Sequence, residues 1–206
     1  HKQIKRQKKF PQLRDKKIWI GKIVFDKERL KKIKLIVADL DGTLVDEKGE
    51  LGAESKKVIS QLKKNGIEFT IATGRLQSAV LGICKDLDIT IPIITLDGSL
   101  IKNPITNEIL YESFVPEKYV QKALKLSDKF LLNIALCTED AIYYTENNSL
   151  VTSLLRKFGA NYQEVQSYNG YTDRVLEIVM MSDYKENLRF VKDKFSFPYS
   201  FGLSKS

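Results

Sequence analysis

Residues 35–44 have the sequence LIVADLDGTL, and this stretch decides the fold class. Its first four residues are apolar, which is typical of a strand that is buried on both faces of a parallel sheet. Asp39 stands where that strand ends, and side chains two positions apart in an extended segment point to the same side. Asp39 and Asp41 are therefore predicted to face one crevice, while Gly42 allows a tight turn and Thr43 adds a hydroxyl.

Strands and helices alternate after the aspartates. Apolar spacing predicts a helix at 53–65 and another at 76–87, with strands at 67–72 and 91–95. Strand, helix, strand, helix, strand is the pattern of a parallel sheet with right-handed crossovers. Two further short strands, at 100–101 and 109–111, predict a hairpin that leaves this sheet.

A second, smaller α/β unit with antiparallel pairing is predicted after residue 113. The expected organisation is a basic segment at 1–32, a core at 33–113 and this second unit at 114–206. Its predicted helices lie at 117–130, 149–158 and 184–195, and its predicted strands lie at 132–138, 141–145, 175–182 and 196–203.

A second polar stretch, Ala72-Thr73-Gly74-Arg75, also ends an apolar strand and precedes a helix. Ligands of parallel sheets bind beyond the carboxyl ends of the strands. A Thr hydroxyl and a glycine amide before a helix can bind phosphate. Two plainer interpretations stay open: Thr73-Gly74 could be a helix cap, and Asp41-Gly42 could be an ordinary hairpin turn.

The paired aspartates favour phosphoryl transfer. Two adjacent carboxylates repel each other unless a cation or a proton intervenes, and Mg²⁺ prefers oxygen ligands and also binds phosphate. Asp39 could attack phosphorus and form an aspartyl-phosphate. Asp41 could protonate the leaving alcohol and then accept a proton from the attacking water.

Composition removes several other chemistries. The only histidine is His1, which excludes Ser-His and Cys-His catalysis within this sequence. Cys84 and Cys137 have no metal-binding or redox spacing and are expected to be buried thiols in a reducing compartment. No apolar run reaches the roughly 20 residues that span a bilayer, and no signal peptide is visible. A cytoplasmic location is therefore the default expectation.

Basic charge is concentrated at the start of the sequence. Residues 1–34 contain 14 Lys and Arg against 3 Asp and Glu, whereas the remainder contains 20 against 23. A solvated extension is the favoured interpretation, because no nucleic-acid-binding motif accompanies the charge. Binding to nucleic acid or to another acidic partner through residues 1–34 stays an alternative.

The sequence resembles a known family at three places. Asp39-Leu40-Asp41-Gly42-Thr43-Leu44 resembles motif I of the haloacid dehalogenase superfamily, and Thr73-Gly74 resembles its motif II. Residues 71–75 followed by 93–100 resemble the Cof-type phosphatases, in which an α/β cap is inserted after this point. The resemblance implies a Rossmann-like core with a mobile cap.

The resemblance also implies a Mg²⁺-dependent phosphatase that cleaves small phosphomonoesters, often sugar phosphates, through an aspartyl-phosphate. Asp39 would be the nucleophile and Asp41 the acid/base. Mg²⁺ would be held by Asp39 and the backbone of Asp41. The phosphate contacts implied are the Leu40 backbone, Thr73 and Gly74, and the possible supporting residues are Gly42, Thr43, Arg75 and Asp97.

The sequence departs from the family pattern in two respects. Asp97 stands where Asn is usual, and it is expected to cap the turn at Asp97-Gly98. The family also needs a lysine after the cap and a later Gly-Asp-x-x-Asn-Asp motif, and neither is found; Lys205 is better explained as a solvated charge at a strand end. The sequence is therefore expected to represent part of the core and most of the cap. A catalytically incomplete binding module and a phosphomutase on the same scaffold stay as alternatives.

Overall fold

A computed structural model describes residues 17–20, 23–26, 32–46, 48–145, 161–182 and 184–194 of the chain. These residues form a short hairpin and two larger sheets. The strands are β1 (Lys17–Ile20), β2 (Ile23–Asp26), β3 (Leu35–Asp39), β4 (Glu68–Ala72), β5 (Ile93–Thr95), β6 (Leu100–Lys102), β7 (Ile109–Glu112), β8 (Asn133–Cys137), β9 (Ile142–Tyr144), β10 (Tyr162–Glu164) and β11 (Glu177–Met181). The helices are α1 (Ala53–Lys64), α2 (Gln77–Asp86), α3 (Glu117–Phe130) and α4 (Lys185–Lys194).

The first large sheet, hereafter the core sheet, has the strand order β3-β4-β5-β6-β7. β3, β4 and β5 are parallel, with α1 and α2 as the crossovers, so the predicted α/β core is confirmed. The hairpin β6–β7 was expected to leave this sheet, and that prediction is wrong. A 3-10 turn at Leu96–Gly98 reverses the chain, so β6 pairs antiparallel with β5 and the hairpin extends the sheet.

One face of the core sheet packs against its helices. The buried cluster there joins the first turn, α1, α2 and the strands, because their apolar residues recur at helical and strand spacing. Its buried members are Leu40, Val45, Ile59, Phe69, Ile71, Val80, Cys84, Leu87, Ile89 and Ile93.

β3 is less buried than its composition predicts. Among the described residues it pairs only with β4, so it lies at an edge of the core sheet. Leu35 is 48% exposed and Val37 45% exposed, whereas Ile36 and Ala38 on the opposite face pack against the core cluster. The strand prediction is thus confirmed, but burial on both faces is wrong within the described part of the chain.

The second sheet, hereafter the cap sheet, has the order β10-β9-β8-β11. β8 pairs antiparallel with both β9 and β11, as predicted. β10 was not predicted, and it pairs parallel with β9. One face of this sheet packs against α3 through Ile134 and Leu136.

The opposite face of the cap sheet packs against the core. Ala135, Cys137 and Met181 belong to one buried cluster with Leu76, Leu96 and Leu100. Leu76 follows the Thr73–Arg75 loop, and Leu96 and Leu100 flank the turn after β5. The cap sheet therefore lies over the loops at the carboxyl ends of β4 and β5.

Of the remaining sequence predictions, the one for the cysteines is confirmed, and several others concern residues outside the described ranges. Cys84 and Cys137 are free and buried as predicted, and burial raises the pKa of Cys84 to about 11. Within the basic segment, the described residues form the hairpin β1–β2. The helix at 149–158 and the strand at 196–203 lie outside the described residues, and the division at residue 113 stays a prediction. No helix in the described ranges has the length and apolar character needed to cross a bilayer.

Candidate active site

The predicted site residues lie at neighbouring strand ends. The parallel register pairs Asp39 with Ala72, and Ala72 with Ile94. Beyond the strands, the Thr73 amide donates to the Ile94 carbonyl at 2.9 Å, and the Asp97 amide donates to the Thr73 carbonyl at 3.4 Å. The loops after β3, β4 and β5 therefore meet at one edge of the core sheet, where parallel strands bind ligands.

A tight turn follows β3. The Leu40 carbonyl accepts backbone hydrogen bonds from Thr43, Leu44 and Val45 at 3.3, 3.0 and 3.0 Å. Gly42 has φ of 72°, a conformation that glycine adopts without a steric penalty. The Leu40 side chain is fully buried and fixes the segment between the exposed residues Asp39 and Asp41. Because β3 pairs with the parallel strand β4, the turn does not join two strands of a hairpin, and that interpretation is wrong.

The two aspartates have different partners. Asp39 Oδ1 accepts a hydrogen bond from the Leu40 amide at 2.8 Å. Asp41 is bound by the Arg75 guanidinium at both oxygens, Nη2 to Oδ1 at 2.6 Å and Nε to Oδ2 at 3.0 Å. This two-point geometry is the most specific form of a carboxylate ion pair. Arg75 therefore balances the charge of Asp41, and the ion expected between the two carboxylates stays a prediction.

The Thr73-Gly74 loop is not a helix cap. α2 begins at Gln77, with Leu76 before it, while the buried Thr73 hydroxyl accepts a hydrogen bond from the Arg75 amide at 3.2 Å. Gly74 is needed for space: a Cβ there would lie 2.8 Å from Asp97 Oδ1. Gly74 therefore allows the loops after β4 and β5 to touch.

Asp97 differs from its expected role. It has φ of 50° inside the 3-10 turn, and within the described part of the chain its carboxylate makes no capping hydrogen bond to that turn. The carboxylate lies against Gly74 instead. Asp97 thus adds a negative charge next to the predicted phosphate loop.

Two ion pairs join the core to the cap. Lys102 of β6 bonds Glu139 at 2.6 Å, and Arg174 bonds Glu112 of β7 at 3.0 Å. Within the cap, the segment that enters from β7 is fixed by a backbone hydrogen bond of 2.7 Å from Val115 to Val175. The cap is thus attached on the side of β6 and β7.

Glu177, at the start of β11, is a polar residue that the sequence analysis did not select. Burial raises the pKa of its carboxyl to about 7, and the nearby charge of Asp97 acts in the same direction. The signal available in the sequence was a single acid in the otherwise apolar run from Val175 to Met181.

Two oxygen donors of the kind that Mg²⁺ prefers are present in the first turn. The hydrogen bonds of the first turn use the Leu40 and Val45 carbonyls rather than that of Asp41, and Arg75 occupies the Asp41 side chain. The Asp39 carboxylate and the Asp41 carbonyl are the hard oxygen donors that Mg²⁺ prefers, with water as its usual additional ligand. No cluster of three or more His, Cys, Asp or Glu suited to a metal occurs among the described residues.

Comparison with known proteins identifies the family. A family model described as haloacid dehalogenase-like hydrolase matches residues 36–198, which is most of the chain. The chain therefore belongs to the haloacid dehalogenase-like hydrolases, and the resemblance drawn from the motifs is confirmed.

Individual relatives are similar over parts of the chain. A protein named as a putative phosphatase from Buchnera aphidicola subsp. Baizongia pistaciae is 33% identical over 128 residues, 60% of this chain and 46% of that protein. The 5-amino-6-(5-phospho-D-ribitylamino)uracil phosphatase of Bacillus subtilis is 41% identical over 69 residues, 34% of this chain and 23% of that protein. The chain spans about half the length, or less, of these relatives.

The fold has solved counterparts. A haloacid dehalogenase-like hydrolase from Bacteroides thetaiotaomicron matches with a TM-score of 0.68 and 22% identity, covering 79% of this chain and 62% of that chain. This likeness supports the observed α/β core and cap.

Proposed function

We propose that the protein is a Mg²⁺-dependent phosphatase that hydrolyses small phosphomonoesters through an aspartyl-phosphate on Asp39. The observation that carries the proposal is the convergence at one sheet edge of an exposed carboxylate, a buried Thr hydroxyl and an Arg-bound carboxylate. They belong to Asp39, Thr73 and Asp41. Phosphatase names among the relatives support the same class of reaction.

The chemistry proposed for these side chains has two steps. In the first, an Asp39 oxygen attacks phosphorus, the ester P–O bond breaks, and the leaving alkoxide takes a proton from Asp41. In the second, water attacks phosphorus while Asp41 accepts its proton, and phosphate leaves Asp39. Arg75 orients Asp41 and releases one Asp41 oxygen when that oxygen carries the proton. The Leu40 amide, which donates to Asp39 Oδ1 in this structure, turns to the phosphate oxygens together with Thr73 and Gly74.

Mg²⁺ is the proposed cofactor. The Asp39 carboxylate and the Asp41 carbonyl would hold it. When bound, it neutralises negative charge on the phosphoryl group during transfer. Gly42 and Thr43 support the turn that presents both ligands.

Small phosphorylated metabolites are the proposed substrates. A cap covers the loops after β4 and β5, which suits a small ligand that can be enclosed. The name of the Bacillus subtilis relative includes a phospho-D-ribityl group, a phosphorylated polyol. We extend that chemistry, and not that compound, to this protein as a sugar-phosphate-like substrate class.

The nucleophile is tested by Asp39→Asn. Release of inorganic phosphate from phenyl phosphate and from hexose phosphates is measured with Mg²⁺ and with EDTA. We expect the variant to lose about 10⁴-fold or more in kcat, as nucleophile removal does in other covalent enzymes. Asp86→Asn, a change of an exposed carboxylate on α2, is the matched control and should leave the rate unchanged.

Equal rates for the wild-type protein and Asp39→Asn would refute the assignment. The same assay separates the alternatives. A phosphomutase would return the phosphoryl group to the organic product instead of releasing it. A binding module that uses residues 1–34 would release none and would bind acidic partners with a steep salt dependence.

A further inference from the structure

Glu177 lies on the face of the cap sheet that looks toward the core. β11 pairs with β8 in a register that sets Glu177 opposite Cys137. Residues two apart on a strand share a face, so Glu177 lies on the same face as Val179 and Met181, which pack in the cluster with Leu76 and Leu96 of the core. The alternate residues Ile178 and Met180 pack on the α3 side.

The Glu177 carboxyl is buried and incompletely bonded. Its Oε2 atom has no hydrogen-bond partner among the described residues. Native proteins pair nearly all buried polar groups, so such an atom needs an explanation. Burial raises the carboxyl's pKa to about 7, and Asp97 contributes in the same direction. The cluster that joins this face of β11 to Leu96 places it beside the turn that carries Asp97.

Among the described residues, Glu177 forms no ion pair. The cations that pair near the strand ends or between core and cap are bonded to other acids: Arg75 to Asp41, Lys102 to Glu139 and Arg174 to Glu112. Cys137, opposite Glu177, and Tyr144 carry donor groups in the cluster, but neither bonds Oε2. A donor that is not among the described protein groups is therefore the candidate partner of this oxygen.

We propose that Glu177 is a specificity-determining residue of the cap. Its carboxyl accepts a hydrogen bond from a hydroxyl or a protonated amine on the organic part of a phosphomonoester. The inference rests on the proposed function, because it takes the phosphate to bind beside Asp39, Thr73 and Gly74. From there the organic part passes Asp97 and reaches the cap sheet. Substrates with a donor at that position are favoured, and purely hydrocarbon esters are not.

The experiment compares glucose 6-phosphate, glucosamine 6-phosphate and phenyl phosphate, which carry hydroxyls, an added amine and no donor. Hydrolysis is measured for wild type, Glu177→Leu and Glu177→Gln with Mg²⁺. Affinities of the same compounds are measured by calorimetry in the Asp39→Asn background. Glu164→Gln makes the same chemical change on β10, an exposed strand of the same sheet, and is the matched control.

We expect Glu177→Leu to lower the kcat/KM for the sugar phosphates, relative to that for phenyl phosphate, by about 10- to 100-fold, the worth of a hydrogen bond to a charged group. The affinity ratio should fall in parallel, and Glu164→Gln should change neither ratio. If a substrate hydroxyl is the donor, Glu177→Gln should lower the relative kcat/KM of both sugar phosphates to a similar extent. If the amine is the donor, the decrease should be larger for glucosamine 6-phosphate. If Glu177→Leu does not fold, the ratios of Glu177→Gln decide.

Unchanged ratios in folded variants would overturn the role of Glu177 and leave the phosphatase proposal intact. Selective binding that depends on Glu177, without hydrolysis by the wild type, would refute the phosphatase proposal and retain the recognition role. Absence of both binding and hydrolysis would refute both.

Discussion

The core and the cap each place an acid at their junction, and the two acids have opposite surroundings. The Asp41 side chain is 45% exposed, yet both of its oxygens are bound by Arg75. Glu177 is largely buried, yet Oε2 has no partner within the described chain. The acid proposed for proton transfer is held by the protein itself. The acid proposed for recognition has an oxygen left for a ligand.

The pH dependence of folding should separate the two acids most clearly. The pKa of Glu177 is raised from 4.5 to about 7, so the folded state binds this proton more tightly than the unfolded state. Stability from this group is complete below pH 4.5, falls as the pH rises to about 7, and then levels off. The loss should be on the order of 3 kcal/mol.

Urea unfolding of wild type and Glu177→Gln between pH 4 and pH 9 measures this loss. The variant has no carboxyl to ionise, so its stability should exceed that of wild type increasingly above pH 5. Parallel pH profiles for the two proteins would contradict the burial of a proton-binding carboxyl at residue 177.

The next largest effect is expected for Arg75. Arg75→Ala frees both Asp41 oxygens and should lower kcat by about 10- to 100-fold, a part of the contribution of general acid–base catalysis. Arg75→Lys keeps the charge but loses the two-point geometry. Its kcat should therefore lie between that of wild type and that of Arg75→Ala. The dependence of kcat on pH is the decisive measurement. A purely structural role for Arg75 would leave the apparent pKa values of that profile unchanged.

A matched control for Arg75 exists in the same half of the chain. Lys56 and Asp86 form a 2.7 Å ion pair between α1 and α2 that includes none of the proposed site residues. Lys56→Ala removes an ion pair of similar length and should leave kcat unchanged. An equal loss in both variants would show that Arg75 acts through stability alone.

Gly74 should give a smaller effect, on stability first. In Gly74→Ala the new methyl would meet Asp97 Oδ1 at 2.8 Å, so the Asp97 carboxylate has to turn away. Because a side-chain end can move, the cost should be about 1 kcal/mol, the lower end for overpacking. Gly82→Ala in α2 meets nothing within 4 Å and should stabilise by up to about 1 kcal/mol. Adding Asp97→Gly to Gly74→Ala should recover the loss, which urea unfolding can measure.

The smallest effects concern the two ion pairs between core and cap. The Lys102 and Glu139 side chains are 14% and 26% exposed, whereas those of Arg174 and Glu112 are 57% and 31% exposed. Double-mutant cycles should give a coupling energy of about 1 kcal/mol for the first pair and less for the second, because solvent screens exposed charges. The reverse order would contradict the closed arrangement of cap and core.

The part of the site that lies in the core could be predicted from the sequence, because it depends on local sequence patterns. Apolar runs located β3 and β4, and the rule that ligands bind at carboxyl ends brought Asp39, Thr73 and Gly74 to one edge before any coordinates. The contact between Gly74 and Asp97 could not be predicted, because it depends on the distance between the turn after β5 and the neighbouring loop.

The part of the site that lies in the cap was harder to predict from the sequence, because it depends on packing between segments that are distant along the chain. Glu177 gains its surroundings only when β11 pairs with β8 and the sheet covers Leu76 and Leu96. The parallel pairing of β10 with β9 joins segments separated by residues outside the described ranges. The exposure of β3 also depends on packing between distant segments. Its composition indicates that the strand can be buried, but the neighbouring elements determine whether it is buried.

The open edge of β3 has a consequence for assembly. Within the described chain, β3 is hydrogen-bonded to β4 alone, and its last residue is Asp39. Any parallel strand added at the free edge would end beside Asp39, and the residues after it would join the site. An edge strand presents unpaired N–H and C=O groups, so a segment that pairs with β3 would approach the centre from that side.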